Sequence, residues 1–261
     1  MGRCAVTGQL FSLAGKKALV TGASRGIGQV IALAFARAGA DVALTARTEA
    51  GLAETAREIR GLGRQAVEIP ADLINRDAAE DAVRIALKEL GQLDIVVNNA
   101  GGSSFVAPFL EMRQSGWDKV LRLNLDTTMW ICQAAGAHMT ARGTGSVINV
   151  ASVAGLGGAP FLAPYGAAKA AVVALTKTLA VEWGRSGVRV NALCPGWTAT
   201  DLNRVMWDSP DGGAATIASV PMGRWGKAEE MAGPAVFLAS EAASFMTGQV
   251  LVVDGGQTAT A

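Results

Sequence analysis

Seven short apolar runs, separated by longer stretches with helical spacing, constrain this chain more than any other feature of it. The runs are KALVTG, DVALTA, QAVEIPAD, DIVVNNAG, GSVINVAS, VRVNALCPG and QVLVVDGG. They are continuous rather than alternating and rich in β-branched residues, the pattern of strands covered on both faces. Helices are expected over Ile27 to Arg37, Glu49 to Leu62, Arg76 to Leu90, Ser115 to Arg142 and Pro164 to Arg185. Strand and helix alternating in this way imply an α/β fold: a doubly wound parallel sheet of about seven strands with helices on both faces.

No linker-like composition or charge block divides the chain, so residues 13–261 are expected to form a single domain behind a mobile leader, 1–12. A segment of weak periodicity, 198–225, follows the sixth run. A long insertion after a strand's carboxyl end is where a substrate lid would lie; the alternative is a solvated loop carrying a short helix. With half its residues apolar and a net charge of +1, the protein has the composition of a compact globule and no basic patch for nucleic acid. No apolar run is long enough to cross a bilayer without charges or glycine breaks.

Cys4, Cys132 and Cys194 have neither paired nor metal-type spacing, which fits a reducing cytoplasm and incidental thiols. His138 is the only histidine, which excludes a two-histidine mechanism and leaves no zinc or other metal site to expect.

The first run leads through Gly22, Gly26 and Gly28 into a helix. Missing side chains allow a tight turn and let backbone N–H groups approach a pyrophosphate at the helix N-terminus. The spacing is Gly-x3-Gly-x-Gly, not the commoner Gly-x-Gly-x2-Gly. At the end of the second run, where an acidic residue often holds a ribose hydroxyl, stand Ala46 and Arg47, with Glu49 too far along. A carboxylate repels a 2′-phosphate and a guanidinium binds it in bidentate fashion. Arg47, with Arg25 as a second cation, therefore favours NADP(H) over NAD(H). The alternative for Arg47 is a solvated charge at a strand end.

Tyr165 and Lys169 are four residues apart, and Ser152 lies thirteen residues before Tyr165. A phenol is a poor acid near neutral pH, and an ammonium one helical turn away is expected to lower its pKa. A serine hydroxyl can orient a carbonyl toward that phenol, so the three could protonate an alkoxide or deprotonate an alcohol.

With these residues in hand the chain resembles the short-chain dehydrogenase/reductase family, a Rossmann-like family, over nearly its whole length. TGASRGIG, which contains Ser24 and Ile27, looks like the family's cofactor loop; NNAG, Asn98 to Gly101, looks like its strand-four motif. Asn124, Ser152, Tyr165 and Lys169 match its four catalytic positions. PGWTAT from Pro195 resembles the nicotinamide-side turn, and VDGG the closing strand. The resemblance implies that Asp72 and Leu73 flank the adenine ring, by side chain and backbone respectively. It implies that Asn98, Ala100 and Gly101 line the cofactor, with Asn98 also bracing the sheet. It further implies that Lys169 holds the nicotinamide ribose, and that Asn124 holds a water relaying protons to Lys169. Pro195 and Gly196 would bind the cofactor within the nicotinamide-side turn, Thr198, through its backbone, and Thr200 would contact the carboxamide end, and the pro-S hydride would be transferred.

The family's substrates are diverse. The two positions at which acyl-carrier-protein reductases would carry basic residues are Trp130 and Val181 here, which weakens that reading. The C-terminal segments look closest to the sugar-acid and polyol branch. A small ketone, polyol or sugar-acid-like compound is the expected substrate; a 3-oxoacyl thioester is the alternative, and a non-catalytic NADP(H)-sensing regulator a remote one. The family pairs the two long helices across a two-fold axis, which implies a homotetramer; the other reading is that their apolar surplus is only the internal face.

Overall fold

The computed structural model describes residues 9–103 and 105–260. The leader's first eight residues lie outside the described ones; within 9–12, Phe11 meets Phe237 at 6.4 Å between ring centroids. Seven strands form one sheet: β1 (Lys17–Thr21), β2 (Asp41–Ala46), β3 (Ala66–Pro70), β4 (Ile95–Asn98), β5 (Gly145–Val150), β6 (Val188–Pro195) and β7 (Val250–Val253). Their order is β3-β2-β1-β4-β5-β6-β7, and every pair is parallel. All seven lie on the expected runs.

Alternate residues of each strand serve opposite faces, which explains why the runs are apolar throughout. Val20, Leu44 and Val97 join one core layer with Ile31 and Phe35 of α1 (Gly26–Arg37), Leu52 and Ile59 of α2 (Glu49–Gly61) and Leu238 near the C-terminus. Leu19, Ala43 and Val96 join the other, against Val83 of α3 (Arg76–Leu90) and, further along the chain, Ile131 and Met139. Burying each large side chain is worth about 1.5–3 kcal/mol, so neither face tolerates polar alternation.

Helix α3 keeps its expected bounds because both ends are specified locally. Asn75 Oδ1 accepts from Asp77 N at 2.9 Å at the start, and Gly91 turns left-handed at φ 80° at the end. The helix expected from Ser115 to Arg142 is interrupted. It runs as α4 (Gln114–Leu121), a π-helical turn (Arg122–Asp126) and α5 (Thr127–Arg142). Asn124 Nδ2 donates to Val120 O at 2.9 Å and Thr127 Oγ1 to Arg122 O at 3.1 Å, so side chains take carbonyls near the widened turn. No spacing pattern announces such a turn.

Next come α6 (Ala163–Trp183) and, within 198–225, two single-turn helices, α7 (Arg204–Trp207) and α8 (Ala214–Ile217). Thr198–Ala199 and Gly226–Lys227 pair as a short parallel ribbon at the base of that segment. Helix α9 (Ala232–Ala239) has no counterpart among the expected helices. It is brief, apolar on most sides and carries Gly233 and Pro234 in its first turn, so it shows no helical period. No helix among the described residues is long and apolar enough to cross a membrane.

Candidate active site

The direction of winding reverses between β1 and β4, and the crevice outside their carboxyl ends is where an open parallel sheet receives ligands. The glycine turn forms its floor. Gly22 and Gly26 take φ values of 66° and 58°, and a Cβ on Gly28 would collide with Gly22 O and the Asn99 side chain. Ahead of α1, Arg25 is extended and supplies no side-chain cap, unlike Asn75 at α3. The first-turn N–H groups of α1 are thus left for an anion. Ser24 packs on α2, where a Cβ on Gly51 would lie 2.8 Å from Ser24 Cβ; Ile27 rests against the first core layer. The backbone therefore forms a cradle that added side chains would fill.

Arg25 and Arg47 are exposed at two neighbouring strand ends, and neither enters an ion pair among the described residues. Asp72 is exposed after β3, its Oδ1 accepting from Ile74 N at 3.4 Å. Leu73 is buried and its carbonyl accepts from Thr127 Oγ1 at 2.9 Å.

The strand-four motif divides its labour. Asn98 is buried and donates to Asn149 Oδ1 at 2.9 Å and Cys132 Sγ at 3.2 Å, so its side chain braces β4 on β5 and α5 rather than facing the crevice. Asn99, which the motif alone does not single out, closes the crevice floor: its Nδ2 donates to Thr21 O at 2.9 Å and Gly22 O at 3.2 Å. Thr21 Oγ1 accepts from the N–H groups of Asn99 and Ala100, at 2.9 Å each. The doubled asparagine was the available signal. Gly101 permits a close approach, since a Cβ there would lie 2.6 Å from Asn124 Oδ1 and 3.2 Å from Lys169 Nζ.

Tyr165 and Lys169 come from the first two turns of α6, which Pro164 opens. Ser152 ends the loop from β5 and caps a short 3-10 turn, its Oγ accepting from Ala154 N at 3.1 Å. A Cβ on Gly155 would lie 2.6 Å from Ala170 N, so glycine lets this turn rest on the α6 backbone. That contact brings the Ser152 hydroxyl to the phenol. Burial pushes Tyr165 above its ordinary pKa of 10.0, and the hydrogen bond with Ser152 pulls the other way. Lys169 is 4% exposed, donates to Val150 O at 2.8 Å and lies 5.6 Å from the Tyr165 ring centroid. Its own pKa is pulled down by burial from 10.5 to about 8.

The expectation that Lys169 lowers the phenol is therefore corrected. Removing both groups from water penalises both charged forms, and the ammonium is directed at a carbonyl.

Asn124 is fully buried at the π-helical turn; Oδ1 accepts from Gly102 N at 2.8 Å and Nδ2 donates to Gly102 O at 2.9 Å. With Val120 O as its other acceptor, both Nδ2 hydrogens are used on backbone. Cys194 lies under this group, its Sγ accepting from Ser152 N–H and its thiol pushed up to about 11 by burial. His138 stands apart, its Nε2 accepting from Leu93 N at 3.3 Å.

Segment 198–225 crosses the crevice. Pro195 ends β6 and Gly196 follows it, where a Cβ on Gly196 would lie 2.6 Å from Asp254 Cβ. Thr198 is buried and bonds Gly196 O at 3.1 Å. Thr200 Cγ2 would lie 3.6 Å from a Cβ on Gly26, and Leu202 Cδ2 2.8 Å from one on Gly102. Trp207 Nε1 donates to Thr200 O at 2.8 Å, while Trp197 and Trp225 meet edge to face at 5.6 Å. Three indoles and the short ribbon thus set where this segment sits.

The family model described as enoyl-(acyl carrier protein) reductase matches residues 22–258. Gluconate 5-dehydrogenase of Gluconobacter oxydans is 41% identical over 249 residues, 95% of this chain and 97% of that protein. A 2-dehydro-3-deoxy-D-gluconate 5-dehydrogenase of Bacillus subtilis is 41% identical over 246 residues, 94% of this chain and 96% of that one. The crystal structure of a gluconate 5-dehydrogenase from Burkholderia cenocepacia, in complex with NADP and tartrate, superposes with a TM-score of 0.92. It is 39% identical and covers 97% of this chain and 99% of that chain.

Proposed function

The chain belongs to the short-chain dehydrogenase/reductase family, and from that premise we propose that it is an NADP(H)-dependent oxidoreductase interconverting a ketone and a secondary alcohol. The observation that carries this reading is the Ser152–Tyr165–Lys169 group beside a glycine cradle and an uncapped helix N-terminus. The bound cofactor supplies or accepts the hydride. Tyr165 gives its phenolic proton to the developing alkoxide, or takes one from the alcohol. Ser152 orients the carbonyl oxygen toward that phenol. Lys169 holds ribose hydroxyls and, through a water held at Asn124, returns the proton from solvent. Segment 198–225 acts as the substrate lid. A small ketone, polyol or sugar acid is the favoured substrate, in keeping with the sugar-acid relatives. An acyl-carrier substrate is disfavoured because Trp130 is buried and Val181, though exposed, is uncharged. Loss of absorbance at the reduced-nicotinamide band, with NADPH and a panel of ketones, tests the activity. Binding of NADPH without turnover of any carbonyl would leave the regulator reading instead.

Cofactor choice rests on Arg47. NADPH should bind more tightly than NADH, and Arg47→Asp should reverse the order, because a charge-assisted pair to the 2′-phosphate is worth about 1.5–3 kcal/mol. Equal dissociation constants for the two cofactors in the wild type would remove the assignment.

A homotetramer is also proposed. Val173, on the helix expected to pair, is 8% exposed and belongs to the core, so a charge there would unfold the protein rather than divide it. The surface of α6 available to a partner includes Ala167, Ala170 and Ala174. Ala174→Lys should split the assembly, since an unpaired ammonium in an apolar interface costs several kcal/mol. Sedimentation of the wild type as a monomer at micromolar concentration would contradict the pairing.

A further inference from the structure

Fourteen large apolar side chains are exposed among the described residues, and nine of them fall in three loops, each after the carboxyl end of β4, β5 or β6. They include Phe109 and Leu110 (66% and 97% exposed), Phe161 (59%), and Leu202, Val205 and Met206 of the lid (57%, 90% and 39%). Exposed apolar residues are ordinary when scattered; a cluster from three separate segments marks a binding surface. These loops are tied to the reacting groups. Leu202 Cδ2 lies against Gly102, whose backbone is clamped at both polar atoms by Asn124. Phe161 is four residues before Tyr165 in sequence, and its carbonyl accepts from Ala107 N at 3.0 Å, joining the β4 loop to the β5 loop. Phe161 also holds φ 64°, the one non-glycine residue with positive φ among the described ones. A bulky side chain in that region is strained, and such strain is found at ligand clamps.

Resting on the ketone-reductase reading above, and narrowing its three substrate candidates to the ketone, we infer that this mouth selects a carbonyl compound with an apolar substituent, an alkyl or aryl ketone, over a polyhydroxylated acid. Sugar hydroxyls demand paired donors and acceptors, and unpaired burial of even one is costly. The six side chains named offer carbon surface alone. Methylenes laid against Phe161 and Leu202 leave water instead, each worth about a fourfold gain in kcat/KM when fully buried.

The test is a series of 2-alkanones of increasing chain length, an aryl methyl ketone and a 5-keto sugar acid, each with saturating NADPH. The expected result is kcat/KM rising several-fold per added methylene over the first few carbons, with the sugar acid below the best alkanone. In Leu202→Ser and Phe161→Ser the ratio between long and short alkanones should shrink about tenfold, with sedimentation unchanged. A flat chain-length series, or a sugar acid preferred by the wild type, overturns the inference while leaving the reductase reading intact. If that sugar-acid preference is lost in Arg204→Ala, the mouth belongs to the lid's guanidinium, which lies 5.7 Å from the Trp207 ring centroid. Dissociation of an oligomer by Leu202→Ser would show that a second copy covers these residues, and overturns it too. Absence of turnover with every carbonyl removes the reductase reading and this inference with it.

Discussion

Replacing Tyr165 with phenylalanine should lower turnover by about 10²–10⁴-fold while leaving NADPH binding, followed by titration calorimetry, close to that of the wild type. The ring keeps its packing at the start of α6 but has no proton to give. Ser152 cannot substitute, because an aliphatic hydroxyl is a far weaker acid than a phenol. The pH dependence follows from burial. The phenol is raised above 10.0, so it stays protonated across neutral pH and ketone reduction should not respond to its titration there. Alcohol oxidation needs the phenolate, and its rate should rise with pH along a limb above the ordinary phenol value rather than below it. More than about a tenth of wild-type turnover in Tyr165→Phe would be incompatible with a proton-donating role.

Lys169→Met should move activity and stability in opposite directions. Between about 8 and 10.5 the unfolded chain binds a proton at Lys169 that the folded chain has released. Wild-type stability therefore rises with pH through that window. Below it the ammonium is charged in both states, and the folded state bears the whole cost of burying it, about 3 kcal/mol. Methionine fills the same space without charge and gives up only the bond to Val150 O, about 1 kcal/mol. Unfolding at pH 7 should thus require about 2 kcal/mol more, the rise above pH 8 should vanish, and turnover and cofactor affinity should both fall. A variant less stable than the wild type at pH 7 would mean that the ammonium is held by more than it loses to desolvation.

Local pattern reached far in this chain, for identifiable reasons. The strands were readable because burial on both faces makes each run apolar at every position, as Leu19 and Val20 show from adjacent places on β1. Helix α3 was readable to the residue because Asn75 and Gly91 specify its ends without help from elsewhere. The glycine turn was readable because left-handed φ at Gly22 and Gly26 leaves a mark in composition. Tyr165 and Lys169 share a face by helical geometry alone.

Other features depend on contacts between distant segments, and no short-range pattern records those. Asn124 becomes intelligible when its side chain is seen clamping Gly102 and widening the helix around it. Asn98 and Asn99, adjacent and chemically identical, part company because alternate strand residues face opposite ways, one to Cys132 and the other to the glycine turn. The reversed shift of Tyr165 depends on how much water the packed loops exclude, which sequence spacing cannot express. The sequence by itself determined the sheet and its parallel winding, since these follow from periodicity and backbone sterics, and its motifs offered the side chains proposed to react. Only the tertiary structure decided the protonation balance of Tyr165 and Lys169 and the apolar character of the mouth, because desolvation and surface clustering are properties of groups brought together from remote parts of the chain.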